Sequence, residues 1–471
     1  MVEPAGGKKV IKRFVIPALL FLLICTGARA EDVEYLVKFK NGTVPTGCEE
    51  RVVYSGYENV YITNDASIEN EFAEFIEYIE PNGKTFLIED VKEISTFSVP
   101  EDKYYPIQWQ IQMIDAQSAW DIETYGNEIN VAVIDSGVSM HPDIAKNIAG
   151  GYNYVPDSTD FSDKHGHGTH VAGLIASVHN EIGIPGVAPK VNIYALKCIE
   201  PGVAGDELTL AKAIRGAVDD YNCKVINMSL GTKVNNTILY EAVKYAHSKG
   251  VVMIAAVGNE YNSSLYYPAA YEEVIGVGSV EYTKEKSNFS QYNKSVFAVA
   301  PGRKSASLHV TEDGGFGYAE RSGTSQASPL VAGAAAIMLS ADSSMTDEKF
   351  RELIKSTSED LGTKGYDIYY GWGLINIGRM LDELTKPYPC YISPENDGDV
   401  LIYNKSETAV NTKVIIAGYN DGFDKADFST AIILPGRKIK IKASSDAKKC
   451  KLFLWNFDDN IKPLAKDRMV E

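Results

Sequence analysis

Cysteine is scarce in this chain. Six occur in 471 residues, and none forms a CxxC pair or a comparable metal-binding spacing, so no thiolate metal site is expected. Runs of Lys and Arg are missing too. With a net charge of −17, the protein repels phosphate backbones and anionic membrane surfaces, and nucleic acid is not an expected partner. No internal repeat and no low-complexity tract occurs. Nor is there a comfortable bilayer span. The longest apolar run, FVIPALLFLLI, is short for that purpose. It follows Lys8, Lys9, Lys12 and Arg13 and precedes Ala28-Arg29-Ala30, which together have the shape of a cleaved secretory signal over residues 1–30. A retained membrane anchor is the competing reading; a lipid anchor is disfavoured because Ile24, not a small residue, precedes Cys25. Export permits disulfides, and Cys390 and Cys450 bracket a single C-terminal region, so theirs is the one bridge expected.

A chain of 471 residues exceeds the usual span of one hydrophobic core, so two or three domains are expected. In EDVEYLVKFKNG the residues alternate like a strand, ASIENEFAEFIEYIE has helical spacing, and TFLIEDV reads as another strand. Residues 31–103 are thus read as a small α+β unit ending in the linker SVPEDKYYP. From Gln108 onward, apolar β-branched strands (INVAVIDSG, VNIYALK, CKVINMSLG, VVMIAAVGN, VIGVGSV) alternate with helical segments (HVAGLIASV, LTLAKAIRGAVDDY, ILYEAVKYAHSKG). That pattern predicts an α/β domain over 104–386, a parallel sheet covered by helices on both faces. Residues 387–471 read as a small all-β accessory domain of short alternating strands.

The segment SGTSQASPLVAGAAAIMLS sets Ser325 at the mouth of an apolar helix. Gly323 is expected to let the chain turn there, Pro329 is tolerated close to the start, and the unpaired first-turn N–H groups favour developing negative charge. Taken alone, Ser325 is as readily a helix cap as a nucleophile. A serine hydroxyl attacks only with a base in hydrogen-bond reach and a group that orients that base. Both types of residue are present. Asp135 ends the buried strand VAVIDSG, where a parallel sheet has its ligand crevice, although Asp-Ser-Gly is also ordinary turn chemistry. His167 precedes the helix in DKHGHGTHVAG; His165 and His170 read more readily as structural. The HGHGTH run also invites comparison with an HxHxDH metal box, but Thr169 stands where that box has Asp, and no downstream His and carboxylate set completes it.

Together VAVIDSGVSMHPD, HGHGTHVAG and SGTSQASPLVAG, in the order Asp, His, Ser, resemble the subtilisin-like serine proteases, and that order separates them from trypsin-like and α/β-hydrolase arrangements. The likeness extends from Gln108 to Leu381 through WQIQMIDAQSAWD, GVAP, VINMSLG, AAVGNE, VAPG and YGWGLIN. The resemblance implies a three-layer α/β/α domain in which Ser325 attacks, His167 moves the proton, Asp135 orients His167 and Asn259 stabilises the oxyanion. It implies substrate pairing with the edge Ser229, Leu230 and Gly231, opposed by Gly202 to Leu208. For the pocket that takes the residue before the cut, Tyr266 suggests small side chains and Glu260 suggests basic ones, and these cues conflict. It also implies a structural calcium held by Asp143, Asn180 and the carbonyls of Val178, Ile182 and Ile184, with no secure match for an N-terminal glutamine ligand and no catalytic cofactor.

Residues 31 to about 100 become an inhibitory propeptide, removed autocatalytically between Gly83 and Tyr105. Cys198 and Cys223 are expected as free, buried thiols at opposite ends of the sheet. The implied protein is a secreted, monomeric endopeptidase acting on polypeptides, extracellular or loosely associated with the cell surface. Two alternatives are a dedicated processing protease for one exported precursor, and a surface-binding protein whose protease only matures itself.

Overall fold

The computed structural model describes residues 33–88, 91–97 and 105–386 apart from positions 123, 156–159, 181, 202–204 and 312–313, together with the strands between 390 and 470. The proposed signal segment lies outside the described residues. The chain divides into two compact units, one ending at Asn82 and one beginning at Gly83.

The first unit is an antiparallel sheet in the order β2-β3-β1-β4, built from β1 (Tyr35–Phe39), β2 (Val53–Tyr57), β3 (Val60–Thr63) and β4 (Ile76–Pro81). Val37, Phe39, Cys48, Ile68 and Ile76 form its core. The helix expected over ASIENEFAEFIEYIE reduces to the single turn Ile68–Glu71, and its second half is β4. Pairing explains the difference. β4 runs antiparallel to β1, with Val37 opposite Ile79 and Leu36 opposite Glu80, and ladder bonds plus burial on an available strand outweigh a weak helical pattern.

The second unit carries a seven-stranded parallel sheet, in the order β15-β14-β13-β11-β7-β9-β8. Its strands are β7 (Asn130–Asp135), β8 (Ile148–Asn153), β9 (Asn192–Lys197), β11 (Val225–Met228), β13 (Val252–Ala256), β14 (Val274–Val280) and β15 (Val296–Pro301). Two mutually packed helix pairs cover it: α1 (His167–Ala176) with α4 (Thr324–Ala341), and α2 (Glu207–Asp219) with α3 (Thr237–Ser248). This is the three-layer α/β/α arrangement. Burial on both faces is why β13 and β14 are apolar or small throughout, and why the one polar residue of β11, Asn227, is hydrogen-bonded.

The register of the central strands positions the site. Ile134 lies opposite Met228, and Met228 opposite Ala255. Asp135, Ser229 and the residues after Ala255 therefore emerge side by side at the carboxyl edge of the sheet, where open α/β sheets bind ligands.

Two smaller antiparallel sheets flank this edge. One sets β5 (Lys84–Leu87) between β10 (Gly205–Asp206) and β12 (Leu230–Gly231); the other pairs β6 (Val91–Phe97) with β17 (Phe316–Ser322), which pairs in turn with β16 (Ser305–Val310). From Cys390 to Val470 every described element is a strand, as the alternating pattern predicts. Cys198 and Cys223 are buried free thiols, and burial pushes Cys223 up to about 12. Cys390 is buried, while the side chain of Cys450 lies outside the described residues, so their expected bridge remains an expectation. Among the described residues no helix is long and apolar enough to cross a membrane.

Candidate active site

Ser325 is the second residue of α4 and fully buried. Two details of the helix start differ from expectation. Gly323 has φ 171° and ψ 165°, an extended conformation open to any residue, so the turn into the helix makes no special demand there. Pro329 lies beyond the first turn. Having no N–H, it leaves the carbonyl of Ser325, four residues earlier, without an intrahelical donor. The Ser229 hydroxyl supplies one, donating to the Ser325 carbonyl at 3.0 Å. Asn227 Nδ2 donates to that hydroxyl at 3.2 Å and the Ser328 hydroxyl donates to Asn227 Oδ1 at 2.7 Å, so the missing helix bond becomes a bolt between α4 and the end of β11.

Asp135 and His167 meet as a buried pair. Nδ1 of His167 lies 2.8 Å from Asp135 Oδ1, and neither side chain is more than 1% exposed. Asp135 Oδ1 also accepts the Ser136 N–H at 2.7 Å. With the Nδ1 proton directed at a carboxylate, Nε2 is the basic nitrogen of the ring.

The start of α1 is organised by a residue that sequence reasoning missed. Asp163 Oδ1 accepts from the Ser136 hydroxyl (2.8 Å), His165 N (2.9 Å) and Gly166 N (2.8 Å), and Oδ2 from Thr169 N and Thr169 Oγ1, both at 2.8 Å. Five donors on one buried carboxylate fix the loop that delivers His167, a hydrogen bond to a charged group contributing about 1.5–3 kcal/mol net. The only sequence cue was an Asp four residues before the His. His170, the third histidine of HGHGTH, turns its Nε2 to the Ala319 carbonyl at 3.1 Å, whereas His167 faces Asp135. The structural reading of His170 thus holds, and the run does not assemble as a metal box.

Asn259 lies beside Ser325. Its Oδ1 accepts both the N–H and the hydroxyl of Thr324 at 2.9 Å, which directs the amide's donor end the other way.

An extended segment of the chain's own sequence lies across these residues. In β5, Leu87 is opposite Leu230 and Phe86 opposite Gly231, while Thr85 is opposite Gly205 on the other side. The ladder continues past the strand: Ile88 N–H donates to the Ser229 carbonyl at 3.2 Å, and Ser325 Oγ donates to the Ile88 carbonyl at 2.7 Å. Beyond this point β6 pairs with β17, bringing Val91 opposite Ser322. The mouth of α4 thus lies against Ile88, and the chain is paired again from Val91 onward. Ser229, Leu230 and Gly231 do form an edge for an extended chain; of the opposing edge, Gly205 and Asp206 take part and positions 202–204 lie outside the described residues.

A third residue, Lys233, bears on the two pocket cues. A methyl at Gly231 would stand 3.4 Å from Tyr266 Cδ1, and one at Gly258, where φ is 114°, 3.0 Å from Tyr266 Cδ2. The ring is clasped between the two walls. Glu260 is occupied by Lys233, Nζ to Oε1 at 2.6 Å. That bond, with smaller contributions from the Tyr266 and Asn262 side chains, holds the Glu260 carboxyl below its usual range. Burial first, and the Glu260 hydrogen bond second, push Tyr266 up to about 12. The Glu260 charge is thus compensated by an ion pair at the surface of the chain itself.

Residues 126–373 match the model of the subtilase family. The chain belongs to that family, and it is a serine-type endopeptidase. It is 33% identical over 384 residues to the minor extracellular protease Epr of Bacillus subtilis, a match covering 78% of this chain and 58% of that protein. It is 33% identical over 366 residues to a thermostable alkaline protease of Halalkalibacterium halodurans, covering 77% of this chain and 96% of that one. Subtilisin Savinase of Lederbergia lenta is 37% identical over 270 residues, covering 57% of this chain and 97% of that one.

The residues expected to hold calcium are Asp143 and members of a loop that is hydrogen-bonded to it. The loop from Val178 to Ile184 folds onto Asp143: Val178 N–H donates to the Asp143 carbonyl at 2.8 Å and Ile184 N–H to Asp143 Oδ2 at 3.1 Å. Asn180 Oδ1 accepts the Ile182 N–H at 2.9 Å, which holds the loop curled. Tyr318 OH also donates to Asp143 Oδ2, at 3.3 Å. Next to Ile184, Gln108 Nε2 donates to the Pro185 carbonyl at 3.1 Å, and its buried Oε1 has no hydrogen-bond partner among the described residues. An all-oxygen donor set with an orphaned buried amide oxygen fits a hard cation.

Proposed function

We propose that this subtilase is an exported endopeptidase, made as a precursor, that cleaves extended polypeptide segments through an acyl-enzyme on Ser325. Ser325 Oγ attacks the carbonyl carbon before the scissile bond, His167 Nε2 takes its proton, and Asp135 holds His167 in the required tautomer. The charge that develops on the carbonyl oxygen is received by the Asn259 amide and the Ser325 backbone N–H at the start of α4. His167 returns the proton to the departing amine. Water, deprotonated by the same His167, then releases the acyl group. Asp143, Asn180, Gln108 and the carbonyls of Val178, Ile182 and Ile184 would hold calcium, which would tie the 178–184 loop to the body of the domain without entering the reaction.

The observation that carries this reading is the 2.7 Å approach of Ser325 Oγ to the Ile88 carbonyl within a ladder of backbone hydrogen bonds. It supports Ile88–Glu89 as the bond cut in maturation, with residues 31–88 as the inhibitory segment. Expression of the full precursor beside Ser325→Ala, followed by intact mass, tests this. The wild type is expected to yield a product beginning at Glu89 and the variant to stay uncut. Unaided processing of the purified variant would refute self-maturation by Ser325. The clasped Tyr266 ring favours the narrower reading, a processing protease, over a broadly degradative one. Generous digestion of unrelated unfolded chains would overturn that preference.

A further inference from the structure

The segment that crosses the active site begins at Gly83, six residues before the proposed scissile bond, and meets a buried carboxylate there. Glu207 opens α2 directly after Asp206, whose Oδ1 accepts the Thr209 N–H at 2.6 Å and caps the helix. A carboxylate in the first turn is favoured by the helix dipole. This one is fully buried. Its backbone N–H donates to the Gly83 carbonyl at 2.9 Å, its Oε2 accepts the Gly83 N–H at 3.1 Å, and its Oε1 accepts the Thr232 hydroxyl at 3.1 Å. The Glu207 backbone and side chain thus grip both polar groups of one peptide residue, and Thr232, just past the opposite edge strand β12, fixes the other oxygen.

This grip admits a side chain only if the carboxylate shifts. A Cβ placed on Gly83 would lie 2.5 Å from Oε1, 2.6 Å from Cδ and 2.6 Å from Oε2 of Glu207. Any other residue must push the carboxylate away. Moving it would break the bonds to Thr232 and to the peptide N–H and strand a buried charge, which is costly. By contrast, Phe86, third before the bond, is 54% exposed and under no such constraint.

We propose that Glu207 forms a glycine-selective subsite for the sixth residue before the scissile bond, so that the enzyme favours extended segments of the form Gly-X-X-X-X-aliphatic. The proposal rests on the assignment of Ile88 as the residue before the cut. It places selectivity far from the reacting atoms, in a residue that can be altered without touching the catalytic machinery.

The test uses the self-matured enzyme and two internally quenched peptides covering residues 83–94, one native and one with alanine in place of the glycine. Wild-type kcat/KM is expected to fall at least tenfold for the alanine peptide. Glu207→Ala, which opens the space, is expected to cleave both peptides within about twofold of each other. Glu207→Gln, which keeps the bulk, is expected to retain the discrimination. Equal cleavage by the wild type, or discrimination that survives in Glu207→Ala, overturns the glycine subsite. Cleavage of both peptides at a bond other than Ile88–Glu89 overturns instead the assignment on which it rests.

Discussion

Removing the Tyr266 ring should rewrite which residue is accepted before the cut. The ring stands between Gly231 and Gly258, with the Lys233 ammonium 5.5 Å from its centroid, and Tyr266→Ala vacates roughly the volume that a phenylalanine side chain from the substrate would occupy. Burying such a side chain contributes about 1.5–3 kcal/mol. A pocket that now admits it should therefore gain about 10- to 100-fold in kcat/KM, at about 1.4 kcal/mol per tenfold. The assay compares initial rates on two quenched peptides covering residues 83–94, one with Ile and one with Phe at position 88. The ratio is taken within each enzyme, so partial loss of folded protein from the half-buried Tyr cancels. Wild type should prefer Ile, and Tyr266→Ala should shift the Phe/Ile ratio upward by at least tenfold. An unchanged ratio would refute the claim that this ring closes the pocket. As a companion, Lys233→Met leaves Glu260 uncompensated and should raise cleavage after Arg only a few-fold, since this pair is solvent-exposed and worth about 0–1 kcal/mol.

Two further outcomes follow from the same geometry. Asp143→Asn should remove the response of thermal unfolding to calcium, whereas the wild type should melt higher with millimolar calcium than with chelator; a calcium response undiminished in Asp143→Asn would exclude this loop as the site. Burial, reinforced by the Arg321 charge, depresses His170 well below its ordinary value. The folded state then binds fewer protons than the unfolded chain, so this contribution is complete above the unfolded value of about 6.5 and is lost as pH falls below it. Denaturant unfolding of His170→Gln between pH 6.5 and 4.5 should show a shallower loss of stability than wild type, and parallel slopes would contradict the assignment.

The Asp135, His167 and Ser325 motifs, the parallel sheet and the alternation in the C-terminal region were legible in the sequence because each is encoded locally. A buried parallel strand must be apolar along its length, and a helix mouth needs small residues within one turn. The same local reading failed over residues 66–80, where β4 is decided by β1, some forty residues earlier in the chain. It also gave Gly323 a turning role that its extended backbone does not require.

What the sequence by itself determined is therefore the chemistry: a hydroxyl, an imidazole, a carboxylate and an amide, each at the end of an element whose type its own neighbours specify. The tertiary structure alone decided what that chemistry meets. Ile88 reaches Ser325 across 237 residues, Lys233 neutralises Glu260 across 27, and Glu207 grips Gly83 across 124. Such contacts depend on strand order and register, because a residue's partner across a sheet is set by the path of the whole chain and leaves no periodic trace beside it.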